Sequence, residues 1–303
     1  MSTFFWWFFD ALVIIIAGYV LYSNGKRGVT KVLLLGIGYF IAALAAAFVS
    51  NSMAPVLYES MTEDSTISEI EHVNRRYDMV SGVTTKVNIQ NYGFTVDKAT
   101  IQGLLEGQNA DRFIGRLYSC LKQKNGGLEL LSVDNTRELV YKAVQEGYGR
   151  QLGEDLPVYV QTNFEEKTAA DPELTRELIT LLLDPKQEQE AIRFTEEKFV
   201  KDPTMELLQI FSYLIIFSIV MVLAAFIAAT MENKFFFNNT RVKERLLGAL
   251  VGIVEAVTVL MLLTLVVRML VMLGGGELLC FNEPTIQESK LFSHFYNHLD
   301  FIL

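Results

Sequence analysis

The sequence predicts an all-α integral membrane protein, with four transmembrane helices and a mostly helical extracytoplasmic domain inserted between helices 2 and 3. Three observations carry this reading. Of the 303 residues, 51% are hydrophobic, and the mean hydropathy of +0.28 lies between that of a soluble chain and that of one wholly in lipid. Four runs, residues 4–21, 32–49, 207–229 and 246–273, are apolar over a length that crosses a hydrocarbon core, which takes about 20 residues at about 1.5 Å each. Between the second and third runs lies a polar segment of the size of one ordinary domain, marked by helix-starting signals.

Residues 1–50 form the first hairpin. The opening MSTFFWWFFDALVIII has no basic residue ahead of its apolar part and places Asp10 where a cleaved signal needs positive charge, so a retained helix is expected. Trp6 and Trp7 suit the interfacial belt. A short loop, residues 22–31 (YSNGKRGVTK), then carries Lys26, Arg27 and Lys31 and no acid before the second helix begins.

Residues 51–204 form the inserted domain. Its 26 Asp and Glu against 17 Lys and Arg account for the net charge of −9 of the whole chain. Asp-Pro recurs at Asp171-Pro172, Asp184-Pro185 and Asp202-Pro203, each offering an N-cap acceptor before a proline suited to the first helical position. The last is expected to launch the third membrane helix. Thr66 with Glu69 has the spacing of a capping box opening ISEIEHVNRRYDMV. Further helices are expected in pieces over 96–122, and over 135–151, 172–183 and 185–201. LPVYVQT, residues 156–162, reads as a strand, and one strand makes no sheet.

Residues 205–274 form the second hairpin, whose loop, residues 230–245, carries Lys234, Arg241, Lys243 and Arg245 against Glu232 and Glu244. Basic residues in short loops stay cytoplasmic, while long domains translocate largely regardless of charge. Both loops therefore face the cytoplasm, with both termini and the large domain outside. The ends agree, because nothing before Asp10 is positive and only Lys290 is basic beyond residue 273. The tail, residues 275–303, spaces Ile286, Phe292, Phe295, Leu299 and Ile302 near a helical period, as an amphipathic helix on the outer face or across the bundle mouth would.

Association in lipid rests on small residues and polar contacts. Gly38, Ala42 and Ala46 on the second helix, and Gly248, Gly252 and Ala256 on the fourth, recur at a spacing of four and offer two packing stripes, for each other or for another subunit. Intramembrane charge is costly, which singles out Asp10, Glu255 and Arg268. Depth puts Asp10 and Arg268 at one level, as an expected ion pair, and puts Glu255 near Tyr39.

No enzyme signature is present and no cofactor is expected. The chain has 3 His, and His294 with His298 alone would not complete a metal site. GGGELL, at residues 274–279, reads as a flexible exit from the membrane. Cys120 and Cys280 fall on the side where a disulfide is permitted, though nothing places them within reach. The lipid bilayer, and a second copy or another envelope protein, are the expected partners; nucleic acid is not.

FFDALVIIIAGYVLYSNGKRGVTKVLLLGIGYFIAALAAAFVSNSMAPVL resembles the N-terminal half of the colicin V production protein family, through Asp10, the turn at Lys26-Arg27-Gly28 and Ala54-Pro55. RLLGALVGIVEAVTVLMLLTLVV and the tail IQESKLFSHFYNHL resemble its C-terminal half. The chain departs from the family in its long middle segment and in Glu255, where members often carry Lys or a small residue. The resemblance implies a non-enzymatic multi-pass protein of the bacterial cytoplasmic (inner) membrane, supporting toxin production or secretion and envelope homeostasis. Two other readings stay open. One is a subunit of a small oligomeric transporter or channel, with a pathway past Asp10, Arg268 and Glu255; the other is a membrane sensor or adaptor binding a partner through the outer domain.

Overall fold

The computed structural model describes residues 5–26, 29–90, 92–105, 109–232, 242–275, 278 and 280–299, and among these there is no strand. In chain order the α-helices are α1 (Trp6–Lys26), α2 (Val29–Leu57), α3 (Glu63–Arg76), α4 (Met79–Ile89), α5 (Lys98–Leu105), α6 (Ala110–Lys124) and α7 (Val133–Asp155). They continue as α8 (Val158–Ala170), α9 (Pro172–Leu183), α10 (Glu188–Thr195), α11 (Lys201–Glu232), α12 (Val242–Gly274), α13 (Glu283–Glu288) and α14 (Phe292–Tyr296). Met1–Tyr58 with Met205–Leu303 forms one compact unit and Glu59–Thr204 another.

In the first unit, four helices are long and apolar enough to cross a membrane. Their outward faces are oily: Ile14 is 62% exposed, Phe48 77% and Phe226 69%. A soluble protein rarely leaves such a surface to water, whereas lipid solvates it. The helices outrun the apolar runs that mark them. α1 continues through Tyr22–Lys26, which the sequence reading assigned to a loop, and α2 already begins at Val29. Lys26 therefore sits in the last turn of α1, over the Tyr22 ring at 4.2 Å. Of the other topology-setting residues, Arg27, Lys234 and Arg241 lie outside the described residues, as do the side chains of Lys31, Lys243 and Arg245.

Two prolines sit inside long helices. Pro55 lies near the end of α2, and a π-turn at Tyr58–Thr62 follows it. Pro203 lies in the first turn of α11, directly after a second π-turn at Glu196–Val200. Proline removes an N–H from the i→i−4 ladder, and a π-turn is where such a ladder changes register. Asp202 consequently does not start a helix as its Asp-Pro pair suggested; it lies within one, bound to Lys167 at 2.9 Å.

The second unit is built around α7, which packs against α3, α4, α6, α8 and α9. Leu139, Val140, Ala143, Val144, Tyr148 and Leu152 are buried along it. Asp171 accepts from the Glu173 N–H and Asp184 from the Lys186 N–H, each with proline at the start of its helix. Asp78, Asn109 and Ser132 cap α4, α6 and α7 in the same way. The expected capping box is not used: α3 starts at Glu63 after Thr62, and Thr66 is a buried residue inside it. The expected strand at 156–162 is corrected to helix. Pro157 is the N-cap of α8, and Val160, Phe164 and Thr168 are buried at a spacing of four, so a helical stripe outweighed the local β-branched content.

Candidate functional site

In the first unit α12 is the common partner, packing against α1, α2 and α14. Its polar side chains fall into two layers, around Glu255 and around Arg268. The 13 helical steps from Glu255 to Arg268 correspond to about 20 Å of helix.

In the Glu255 layer, Asn24 is 0% exposed and Glu255 7%, and the Asn24 amide donates to the Glu255 carboxylate at 2.7 Å. Gly252, one turn before Glu255, makes room for the contact, since a Cβ there would stand 2.9 Å from Asn24 Nδ2. Asn24 escaped the sequence reading because it fell in the supposed loop; continuing the period of α1 by one turn would have found it. Tyr39 is half-buried, its ring 6.1 Å from that of Phe217. α2 and α12, which carry the two small-residue stripes, pack against each other, but Gly38 and Gly252 do not meet. Gly38 faces Ala224 of α11, where an added Cβ would come within 2.8 Å, while Gly252 faces α1. One close approach between α2 and α12 is at Gly36 against Val251. Ala42 and Ala46 are both 0% exposed, and Gly248 and Ala256 are buried.

In the Arg268 layer, the guanidinium meets Glu206 of α11 side-on, Nε to Oε1 at 2.7 Å and Nη2 to Oε2 at 3.3 Å. This fork-to-carboxylate geometry is the strong form of the pair. Its Nη1 donates to the Tyr296 hydroxyl at 3.1 Å, and Tyr296 donates to Glu283 at 2.8 Å. Burial, then Glu283, pushes the Tyr296 phenol up, against the downward pull of Arg268, so Tyr296 stays protonated and relays the contact from α12 to the tail.

Asp10 takes different partners from the Arg268 expected by depth. Its carboxylate accepts the backbone N–H groups of Lys290, Leu291 and Phe292 at 3.0, 2.8 and 3.2 Å. It thereby satisfies donors that the start of α14 leaves unpaired. Phe9 stacks on Phe292 at 4.8 Å beside it. Asp10 and Arg268 are thus not an ion pair; each fastens the tail to a different membrane helix. The tail is not one amphipathic helix but two short ones, broken at Ser289, whose hydroxyl donates to the Ile286 carbonyl and accepts from the Ser293 N–H. Ile286, Phe292, Tyr296 and Leu299 are buried, while Ile302 lies outside the described residues.

Among the described residues no group of three or more His, Cys, Asp and Glu could hold a metal. His298 Nδ1 lies 2.7 Å from the His294 carbonyl, the two rings 4.7 Å apart. Cys120 and Cys280 are both free thiols. Half of GGGELL, residues 276, 277 and 279, lies outside the described residues.

No curated protein and no solved structure matches the chain. The family match does not extend to the N-terminal segment carrying Asp10 and Asn24; it begins in α10 and takes in α11, α12 and the tail helices. This is a multi-pass membrane protein, and over residues 188–300 it matches the family model of the colicin V production protein.

Proposed function

We propose that the protein is a non-enzymatic component of a bacterial inner membrane, supporting production or secretion of a peptide toxin and envelope homeostasis. In this reading the two hairpin loops face the cytoplasm, and residues 59–204 and both termini lie outside. The observation that carries it is the family match, which falls on two membrane helices together with the tail they hold. The polar layers support a scaffold: Asp10, Arg268, Glu206, Tyr296 and Glu283 are occupied in tying the tail to α1, α11 and α12. Deleting the gene in a toxin-exporting host is expected to lower release of active toxin and raise sensitivity to detergents that challenge the envelope. The full chain should restore both. Unchanged release and unchanged sensitivity in the deletion strain contradict the reading.

A second reading, a subunit of an oligomeric transporter or channel, is favoured by the carboxyl of Glu255, buried in the spanning part of α12. Ion flux in proteoliposomes that disappears with Glu255→Gln would establish it in place of the scaffold.

A further inference from the structure

The second unit is acidic, and four of its eight arginines meet carboxylates among the described residues. Arg75 meets Glu71 and Glu188; Arg76 meets Glu154 and Asp155; Arg137 meets Asp134; Arg176 meets Glu173 and Asp111. Arg112 and Arg116 are different. They stand one helical turn apart on the outer face of α6, both exposed, with no ion-pair partner among the described residues. Like charges at this spacing weaken a helix rather than support it. Arg150 and Arg193 also have no ion pair among the described residues, but they lie on α7 and α10.

Arg112 and Arg116 also share a groove of about 640 Å³ with Gly115, Ser119, Cys120 and Gln123, and its described lining contains no carboxylate. A Cβ at Gly115 would meet nothing within 4 Å, so the backbone between the two arginines is open to a ligand. The Ser119 hydroxyl is committed to the Gly115 carbonyl at 2.9 Å, which leaves the two guanidinium forks and the Gln123 amide as donors. The volume is that of a small-molecule site rather than a simple ion site, within the roughly 300–1,000 Å³ of ligand pockets.

We propose that this groove binds a phosphate-bearing ligand, a phosphomonoester or phosphodiester, gripped between Arg112 and Arg116. A carboxylate offers one planar edge and suits one fork; a tetrahedral phosphate offers several oxygen edges and accepts two forks at once. The headgroup of an anionic phospholipid and a soluble phosphate ester share this chemistry.

Cys120 lies in the groove and reports on its occupancy. The full chain with Cys280→Ser, reconstituted in phosphatidylcholine nanodiscs, is reacted with a maleimide at constant ionic strength. One arm adds inorganic pyrophosphate; the other replaces part of the lipid with phosphatidylglycerol. The expected result is a several-fold slowing of Cys120 modification that is lost in the Arg112→Gln, Arg116→Gln double variant. Arg112→Lys with Arg116→Lys keeps the charge without the forks, and should recover only part of the slowing. Slowing by pyrophosphate alone assigns a soluble ester, and slowing by phosphatidylglycerol alone assigns a headgroup. No slowing of the unsubstituted groove in either arm, or equal slowing in the Gln variant, overturns the proposal.

Discussion

Arg268 sets the clearest expectation at the scale of single residues. Its side chain is 31% exposed, as is that of Glu206, between the surface pairs worth about 0–1 kcal/mol and the buried ones whose breaking costs about 3–5 kcal/mol. Arg268→Ala should therefore cost about 2 kcal/mol, seen as a lowered Tm in detergent. A double-mutant cycle with Glu206→Ala should return a coupling of about 1 kcal/mol or more, and simple additivity of the two losses would deny the contact. In the second unit, burial opposes ionisation of Asp78, but Lys98 and Ser81 outweigh it and hold the carboxyl below its ordinary value. Because the folded value is depressed, the stabilisation is present above the unfolded value near 3.8 and fades as pH falls through the folded one. Acid titration of Asp78→Asn should show a shallower loss of stability below about pH 4 than the parent; identical acid limbs would show that the contact contributes nothing. The costly charges Asp10, Glu255 and Arg268 were legible in the sequence. Their partners were not, because Glu206 lies one residue ahead of an apolar run, Asn24 lay in an apparent loop, and Tyr296 and Glu283 are brought in by tertiary folding of the tail.

Among the elements, the close approaches are at glycines. Gly38→Ala would place a Cβ 2.8 Å from the Ala224 Cβ, a short stub with no rotamer of its own, so α2 and α11 must shift apart. The expected cost is about 1–3 kcal/mol, whereas Gly18→Ala on α1, where a Cβ meets nothing within 4 Å, should be tolerated. Equal melting behaviour of the two variants would show that α11 is not held to α2 at Gly38. The helical character of the chain and its four apolar spans could be read from hydrophobic runs and caps. Helix ends could not, since polar residues extend a helix when a tertiary neighbour satisfies them, as Glu255 does for buried Asn24. The same limit explains residues 156–162: β-branched content speaks for a strand, but the buried series Val160, Phe164 and Thr168 exists only once α8 has α7 to pack on. Continuous periodicity in the tail hid the break at Ser289, because side-chain to backbone hydrogen bonding stops a helix without disturbing its apolar spacing.

For the molecule as a whole, the account rests on orientation. The proposed orientation has Lys26 and the other loop cations at the cytoplasmic face, as their charge asymmetry favours, and the proposed placement of residues 59–204 and the tail outside follows from that. The direct measurement is labelling of single cysteines in whole cells with a membrane-impermeant maleimide, in a Cys120→Ser, Cys280→Ser background. Leu128, 72% exposed in the second unit, supplies the test position as Leu128→Cys, and Lys26→Cys supplies its counterpart at the end of α1. The account expects label on Leu128→Cys in intact cells, and on Lys26→Cys only after the inner membrane is permeabilised. Label on Lys26→Cys in intact cells, with Leu128→Cys protected until permeabilisation, would contradict it.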